Sequence, residues 1–476
     1  MASLEHNPAA FYLAEARMDA FTEPDPTDRG KFLLSCIEEG DLAVSGAHAV
    51  ETYLQMGEET GDDPTVAWPL MRKQHLGGSL VDALAAGRAF DDAYNIALDL
   101  GRLSSFYGTQ AKTALLARGY AGPDGELLHM FDDNHLFTLP AEGEPTYVHS
   151  SDIHQFLTGL AGYGIDLTQP GEYHELLEHA EATELEGLMV QHLYSKIALA
   201  YHKGGHPELA APFEELVTQH TVRGRLFANI SRSVADTETL RAIAAEIDEQ
   251  MRIAHTCDGS CVDPACAQRS GSQELGLTAA RLYAQTGDTD RARGFLRYFD
   301  TDYYHPDERL ETYVALYAAE GSPHDREAAM PLFNDSVGVV WEDRARPLAK
   351  LARADIAYGN TLPSLDAEGE VIPRVAWELP GMFGTPDTFE REAAAGNNPA
   401  SDILGPYDER RQAYGKENRR LKQSQATGVL AIVLAEYGAP HTAHQLLGEI
   451  SERADLIRTK MALARVYGAP ELQHDS

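Results

Sequence analysis

Two stretches of this chain read almost alike: Ala280-Arg281-Leu282-Tyr283-Ala284-Gln285-Thr286-Gly287 and Val314-Ala315-Leu316-Tyr317-Ala318-Ala319-Glu320-Gly321. Tyr283 and Tyr317 lie 34 residues apart, and so do Gly287 and Gly321. A fixed period of that size marks an array of helix pairs, because one pair cannot bury its own apolar face and must stack on the next. The spacing predicts an all-α chain and argues against a closed enzyme fold.

The segment 277–299 shows how one such pair is built. Small Ala280 lets two helices approach closely, and Tyr283 fills the gap between them. Gly287 and Asp288 make the turn, Ala292 is the small residue of the second helix, and Leu296 is its bulky core residue. Pro306 suits the first turn of the following helix, where a missing N–H costs nothing. The pattern recurs at Ala198, Tyr201, Gly205 and Ala210, and again at Ala431, Leu434, Gly438, Ala443 and Leu447, with leucine replacing tyrosine. Weaker copies turn at Gly40, Gly87, Gly359 and Gly468. The Gly321 copy departs from the rest, since its small residue, Ala328, comes two positions late. This set of residues resembles the tetratricopeptide repeat. The resemblance implies an α-solenoid of antiparallel helix pairs with an extended concave surface, of the kind used to hold a peptide or another protein.

Two irregular insertions interrupt the array. Residues 119–172 carry Gly122-Pro123-Asp124-Gly125, Leu139-Pro140 and Gly143-Glu144-Pro145, all turn chemistry, and a hairpin or long ordered loop is expected there. Residues 360–407 are richer still in breakers, from Pro363 and Pro373 to Gly405 and Pro406. The expected organisation is therefore N-terminal repeats over 1–118, an insertion over 119–172 and central repeats over 173–359. A Pro/Gly-rich insertion or linker follows over 360–407, and C-terminal repeats over 408–476. At 476 residues the chain exceeds what one compact core usually serves, which an elongated array absorbs.

Against 39 basic residues stand 74 acidic ones, a net charge of −35. Such a field repels nucleic-acid phosphates and anionic lipid, and favours solubility or a cationic partner. No window approaches the ~18 apolar residues of a membrane span. The opening residues Met1 to Pro8 lack the basic-then-apolar pattern of a signal peptide. Four cysteines are too few for a disulfide scaffold, so a reducing, cytoplasmic setting is expected.

One cluster is chemically suggestive. His255, Cys257, Cys261 and Cys266 fall on a loop, 255–271, broken by Gly259 and Pro264 between two central helices. Three thiolates and an imidazole on a bending loop can surround a tetrahedral zinc ion, and a closed shell of that kind would be a structural staple. A disulfide or redox pair with one spare thiol, or idle cysteines, are the alternatives. The only basic cluster of the chain is Arg410, Arg411, Lys416, Arg419, Arg420 and Lys422. It could receive an acidic or phosphorylated partner, or pair with the chain's own acids.

Other signals are weaker. His174-Glu175-Leu176-Leu177-Glu178-His179 misses the H-E-x-x-H zinc signature, because histidines five apart point about 140° away from each other on a helix. Gly159-Leu160-Ala161-Gly162-Tyr163-Gly164 lacks the lysine of a phosphate loop and reads as a flexible helix end. The lead expectation is a non-enzymatic interaction scaffold or assembly subunit. The runner-up is a metal-dependent enzyme or sensor using the Cys257–Cys266 loop or a pocket at 119–172.

Overall fold

The computed structural model describes residues 7–56, 67–128, 150–183, 187–232, 236–255, 267–299, 306–335, 341–363, 370–376, 378, 420–421, 423–469 and 472. Helix dominates the described residues, with a single short hairpin among them. The chain forms two units: one continuous, Phe21–Leu275, and one assembled from Met1–Ala20 together with Gly276–Ser476.

The continuous unit holds α2 (Pro26–Glu38), α3 (Leu42–Gln55), α4 (Ala67–Ala86), α5 (Phe90–Leu103), α6 (Ser105–Ala117) and α7 (Ser150–Tyr163). It continues through α8 (Glu172–Thr183), α9 (Gly187–Gly204), α10 (Pro207–Leu216), α11 (His220–Ile230) and α12 (Thr237–His255), then enters α13 (Ala267–Gln285). Sequence neighbours pack side by side, as in α2 with α3, α5 with α6 and α9 with α10. Next-but-one neighbours pack as well: α2 with α4, α4 with α6, α7 with α9, and α9 with α11.

The divided unit contains α1 (Pro8–Phe21, up to Ala20), the end of α13, α14 (Thr289–Phe299), α15 (Pro306–Glu320), α16 (Pro323–Asp335) and α17 (Trp341–Ala357). There follow β1 (Thr361–Pro363) and β2 (Val371–Pro373), antiparallel with Leu362 opposite Ile372. Helix α18 covers 423–436, and α19 (Pro440–Leu447) and α20 (Arg453–Val466) complete the unit. Helix α1 docks on the last of these. Tyr12 is fully buried and stacks on Tyr467 with ring centroids 5.9 Å apart, while Lys460 Nζ reaches Glu15 at 3.0 Å and Asp19 at 2.8 Å.

One turn recurs throughout. A left-handed residue ends the helix, and the next N–H bonds back to a carbonyl five residues earlier, satisfying an orphan acceptor of the last turn. It is formed by Asp41 to Cys36, His206 to Tyr201, Asp288 to Tyr283, Asn360 to Asp355, Ala439 to Leu434 and Ala469 to Ala464. Gly40, Gly205, Gly287, Gly359, Gly438 and Gly468 hold the left-handed position, which glycine adopts without a Cβ penalty. Two turns depart from it: Gly321 donates its own N–H to the Tyr317 carbonyl, and Gly87 is not the left-handed residue of its turn. There the left-handed residue is Arg88, with φ 62°, and Gly87 instead makes room for Leu42, which a Cβ would approach to 2.8 Å.

Counting from that left-handed residue, a small side chain five positions on is fully buried: Ser45 after Gly40, Ala93 after Arg88, Ala210 after Gly205, Ala292 after Gly287 and Ala443 after Gly438. Four positions before it the residue is buried too: Cys36, Leu84, Tyr201, Tyr283 and Leu434. The two positions recur as a pair of core contacts on either side of these five turns.

The stretch 119–172 is not irregular throughout, because α7 runs through it. The expected helix end is there, since α7 stops at Tyr163 with Gly164 left-handed at φ 97°, and Gly159 and Gly162 fall in its last two turns. A Cβ at Gly159 would come 2.8 Å from the Thr113 side chain, and one at Gly162 the same distance from Ala117 Cα, so both permit the close seating of α7 on α6. Residues 129–149 of that stretch, where a hairpin or long ordered loop is expected, lie outside the described residues; the hairpin that is described runs over 361–373, within the second breaker-rich stretch. No helix of the described residues is long and apolar enough to cross a membrane.

Asp455, in the first turn of α20, is only 3% exposed, and burial pushes its carboxyl up to about 6. Unfolded, it ionises near 3.9. Between about pH 4 and 6 the folded state holds the extra proton, so stability falls as pH rises through that window and levels off above it. Asp455→Asn is expected to raise the unfolding free energy by roughly 2 kcal/mol at pH 7, after an allowance for the favourable helix N-terminus, and to change it little below about pH 4. Urea titrations at both pH values check the sign.

Candidate functional site

At two neighbouring turns the paired positions keep their burial and change their chemistry. Five positions after Gly321, where other copies place alanine or serine, stands Arg326. Four positions before Gly359, where they place leucine, tyrosine or another uncharged residue, stands Asp355. The two meet. Asp355 is fully buried and Arg326 is 6% exposed. The guanidinium donates from Nε to Asp355 Oδ1 at 2.8 Å and from Nη2 to Oδ2 at 3.1 Å, a bidentate pair. Opposite charges thus occupy the positions that hold a small residue and an uncharged one in the other copies.

The carboxylate is fully used. Besides Arg326 it accepts from the Tyr317 hydroxyl at 2.9 Å, Asn360 Nδ2 at 3.0 Å and the Val375 N–H at 2.9 Å. Tyr317 therefore has two functions: it fills the repeat position of Tyr283 and sends its hydroxyl across to the next turn. Burial pushes the Tyr317 phenol upward. Burial by itself would lower the Arg326 guanidinium, and its bonds to Asp355 and Glu378 more than reverse that. Arg326 Nη1 lies 2.8 Å from Glu378 Oε2, and Glu378 Oε1 accepts from Arg374 Nε at 2.7 Å.

These bonds tie the hairpin down. Arg374 N–H donates to the Asn360 carbonyl at 3.0 Å, so both feet of the hairpin sit on Asp355 or its neighbour. Just before β2, Glu370 caps α19, accepting from the N–H groups of His441 at 3.0 Å and Thr442 at 2.9 Å and from the Thr442 hydroxyl at 2.6 Å. The hairpin is thus clasped to α17 at one end and α19 at the other.

Between α16 and this clasp opens a cleft of about 700 Å³, within the size range of ligand sites. Helix α16 lines it with Pro323, Arg326, Glu327, Met330 and Pro331, the i, i+3, i+4, i+7, i+8 stripe of one helix face. Tyr358, Asn360, Arg374 and Glu378 face that stripe from the other wall. Gly321 holds the floor at φ 70°, and a Cβ there would meet the Tyr358 ring at 2.7 Å.

The sites expected from sequence fall elsewhere. His255 ends α12, and Cys257, Cys261 and Cys266 lie outside the described residues, so nothing is built from them here. Cys36 is buried in α2. Among the described residues no group of three metal-ligating side chains comes together. Arg410, Arg411, Lys416, Arg419 and Lys422 also lie outside them; Arg420 is described, and pairs with Glu452 at 2.9 Å. In α8, His174 Nδ1 lies 3.0 Å from the Leu167 carbonyl, a local bond within the chain. No known protein family, curated protein or solved structure matches the chain.

Proposed function

We propose that the chain is a helical-repeat scaffold of the tetratricopeptide-like kind, a non-enzymatic protein that holds a protein or peptide partner. The observation that carries this reading is the recurring turn with its paired core positions, together with next-but-one helix packing in both units, α15 with α17 in the divided one. Repetition of one unit, each resting on its neighbours, is the construction that yields extended binding surfaces. The net charge of −35 supports a protein partner over nucleic acid or an anionic membrane, and a cytoplasmic setting belongs to the same proposal.

The test is reconstitution. A protein captured from the source cell is purified separately and mixed with the purified chain. A stable complex of the two by light scattering supports the reading, as does the absence of binding to tRNA or duplex DNA at 150 mM salt. Salt-resistant nucleic-acid binding, or turnover of a small molecule by the pure chain, overturns it.

A structural zinc ion held by His255, Cys257, Cys261 and Cys266 is part of this proposal, supported by the spacing of those residues. Purification without chelator is expected to yield about one zinc per chain by mass spectrometry. Replacing the three cysteines with serine, or adding chelator, is expected to remove the metal and lower Tm, because the ion binds only the folded state. Metal-free protein with unchanged melting removes zinc from the account.

A further inference from the structure

We infer that the cleft beside α16 binds a lysine or arginine side chain of a partner peptide, flanked by apolar residues. This rests on the scaffold reading and names the chemistry of one of its contact sites.

The argument begins with charge. Asp355, Arg326, Glu378 and Arg374 alternate in sign, each bonded to the next, and their charges cancel. Glu327 is left over. It lines the same cleft, is exposed, and among the described residues carries no hydrogen bond or ion pair. The cleft therefore has one uncompensated negative charge, in a chain whose own field of −35 draws cations and repels anions.

The walls suit the rest of such a side chain. Tyr358 is 46% exposed, yet its hydroxyl is held by the Ala318 carbonyl at 3.1 Å, so the ring is fixed while part of it stays open. An aromatic face beside a carboxylate attracts a cation by its quadrupole as well as by charge. Met330, Pro323 and Pro331 add apolar surface for the methylene stem and its neighbours, and methionine adapts its shape to what it meets. An anion has one foothold, the terminal nitrogens of Arg374, which among the described residues are unbonded. Binding there would place it against Glu327 and the field of the whole chain.

The test uses heptapeptide arrays in which the central residue is varied through all twenty amino acids between leucine and alanine neighbours. The full chain is expected to select lysine and arginine at the centre. The best lysine peptide, labelled for fluorescence anisotropy, is expected to lose about tenfold in affinity to E327Q, with a further loss in Y358L. Charge reversal in E327K is expected to shift selection toward glutamate-centred peptides. Glu327 is exposed and, among the described residues, unpaired, so E327Q is expected to melt like the parent, and its readout is binding alone. Selection of aspartate or glutamate by the parent chain overturns the inference, as does failure to bind any array peptide. Unchanged affinity in E327Q also overturns it, while leaving the scaffold reading intact if a reconstituted partner still binds. Loss of both peptide and partner binding in the parent chain removes the scaffold reading itself.

Discussion

Replacing Asp355 by alanine is expected to destabilise the divided unit by about 3–5 kcal/mol, because the buried Arg326 would lose its bidentate partner and keep only Glu378, and three further donors would lose their acceptor. The effect is expected to be local. Urea unfolding followed by hydrogen exchange should show early loss of protection in α15 to α17 and the hairpin. Helices α2 to α6, which belong to the other unit, should keep theirs. A double variant, Asp355→Leu with Arg326→Ala, restores the residue types found at the same positions around Gly438. It is expected to recover most of the loss, since replacing a whole buried ion pair by apolar residues is often neutral. A double variant as unstable as Asp355→Ala would mean that the carboxylate's other bonds, and not the pair, carry the stability.

Tyr283→Ala is expected to cost about 3–5 kcal/mol, the range for truncating a buried aromatic side chain. Tyr283 is 3% exposed, stacks on Phe295 at 5.8 Å between centroids and lies under the Arg291 guanidinium at 4.5 Å. Truncation therefore removes the seam between α13 and α14. Gly321→Ala offers a comparison, because there a left-handed backbone and the Tyr358 ring both oppose a Cβ. At Gly287 only the backbone does. Thermal melts should rank Gly321→Ala below Gly287→Ala, and equal melts would show that Tyr358 yields freely.

The turns were legible in the sequence because a left-handed residue is a local demand, and glycine answers it without help from distant contacts. Arg88 escaped notice for the same reason, since nothing local marks arginine for that conformation. The candidate site leaves a trace in the sequence. The late small residue assigned to Ala328 in the Gly321 copy was a sign that Arg326 had taken the small residue's place, and the fully buried small side chain of α16 is Ala329. Asp355 was equally visible, four positions before Gly359 as Tyr283 stands before Gly287. What the sequence could not show is that the two departures touch, because a bond across 29 positions depends on how helices stack. Helix α7 was hidden by the Gly-Pro chemistry of 122–145 preceding it. Its own glycines mark a helix end in the sequence, and their close approach to Thr113 and Ala117 of α6 is set by packing alone.

The docking of α1 on α20 gives the order of synthesis a physical meaning. Residues 8–20 are synthesised hundreds of residues before their partners Lys460 and Tyr467. At about 5–20 residues per second the first helix waits roughly 20–90 s, while the continuous unit between can complete its own packing. During that interval the face carrying Tyr12 and Leu13, buried in the finished protein, has no native surface to meet. The nascent chain thus carries an unmatched apolar helix throughout the synthesis of the residues between α1 and α20. That helix is where a chaperone, or premature contact with another nascent copy, would first take hold.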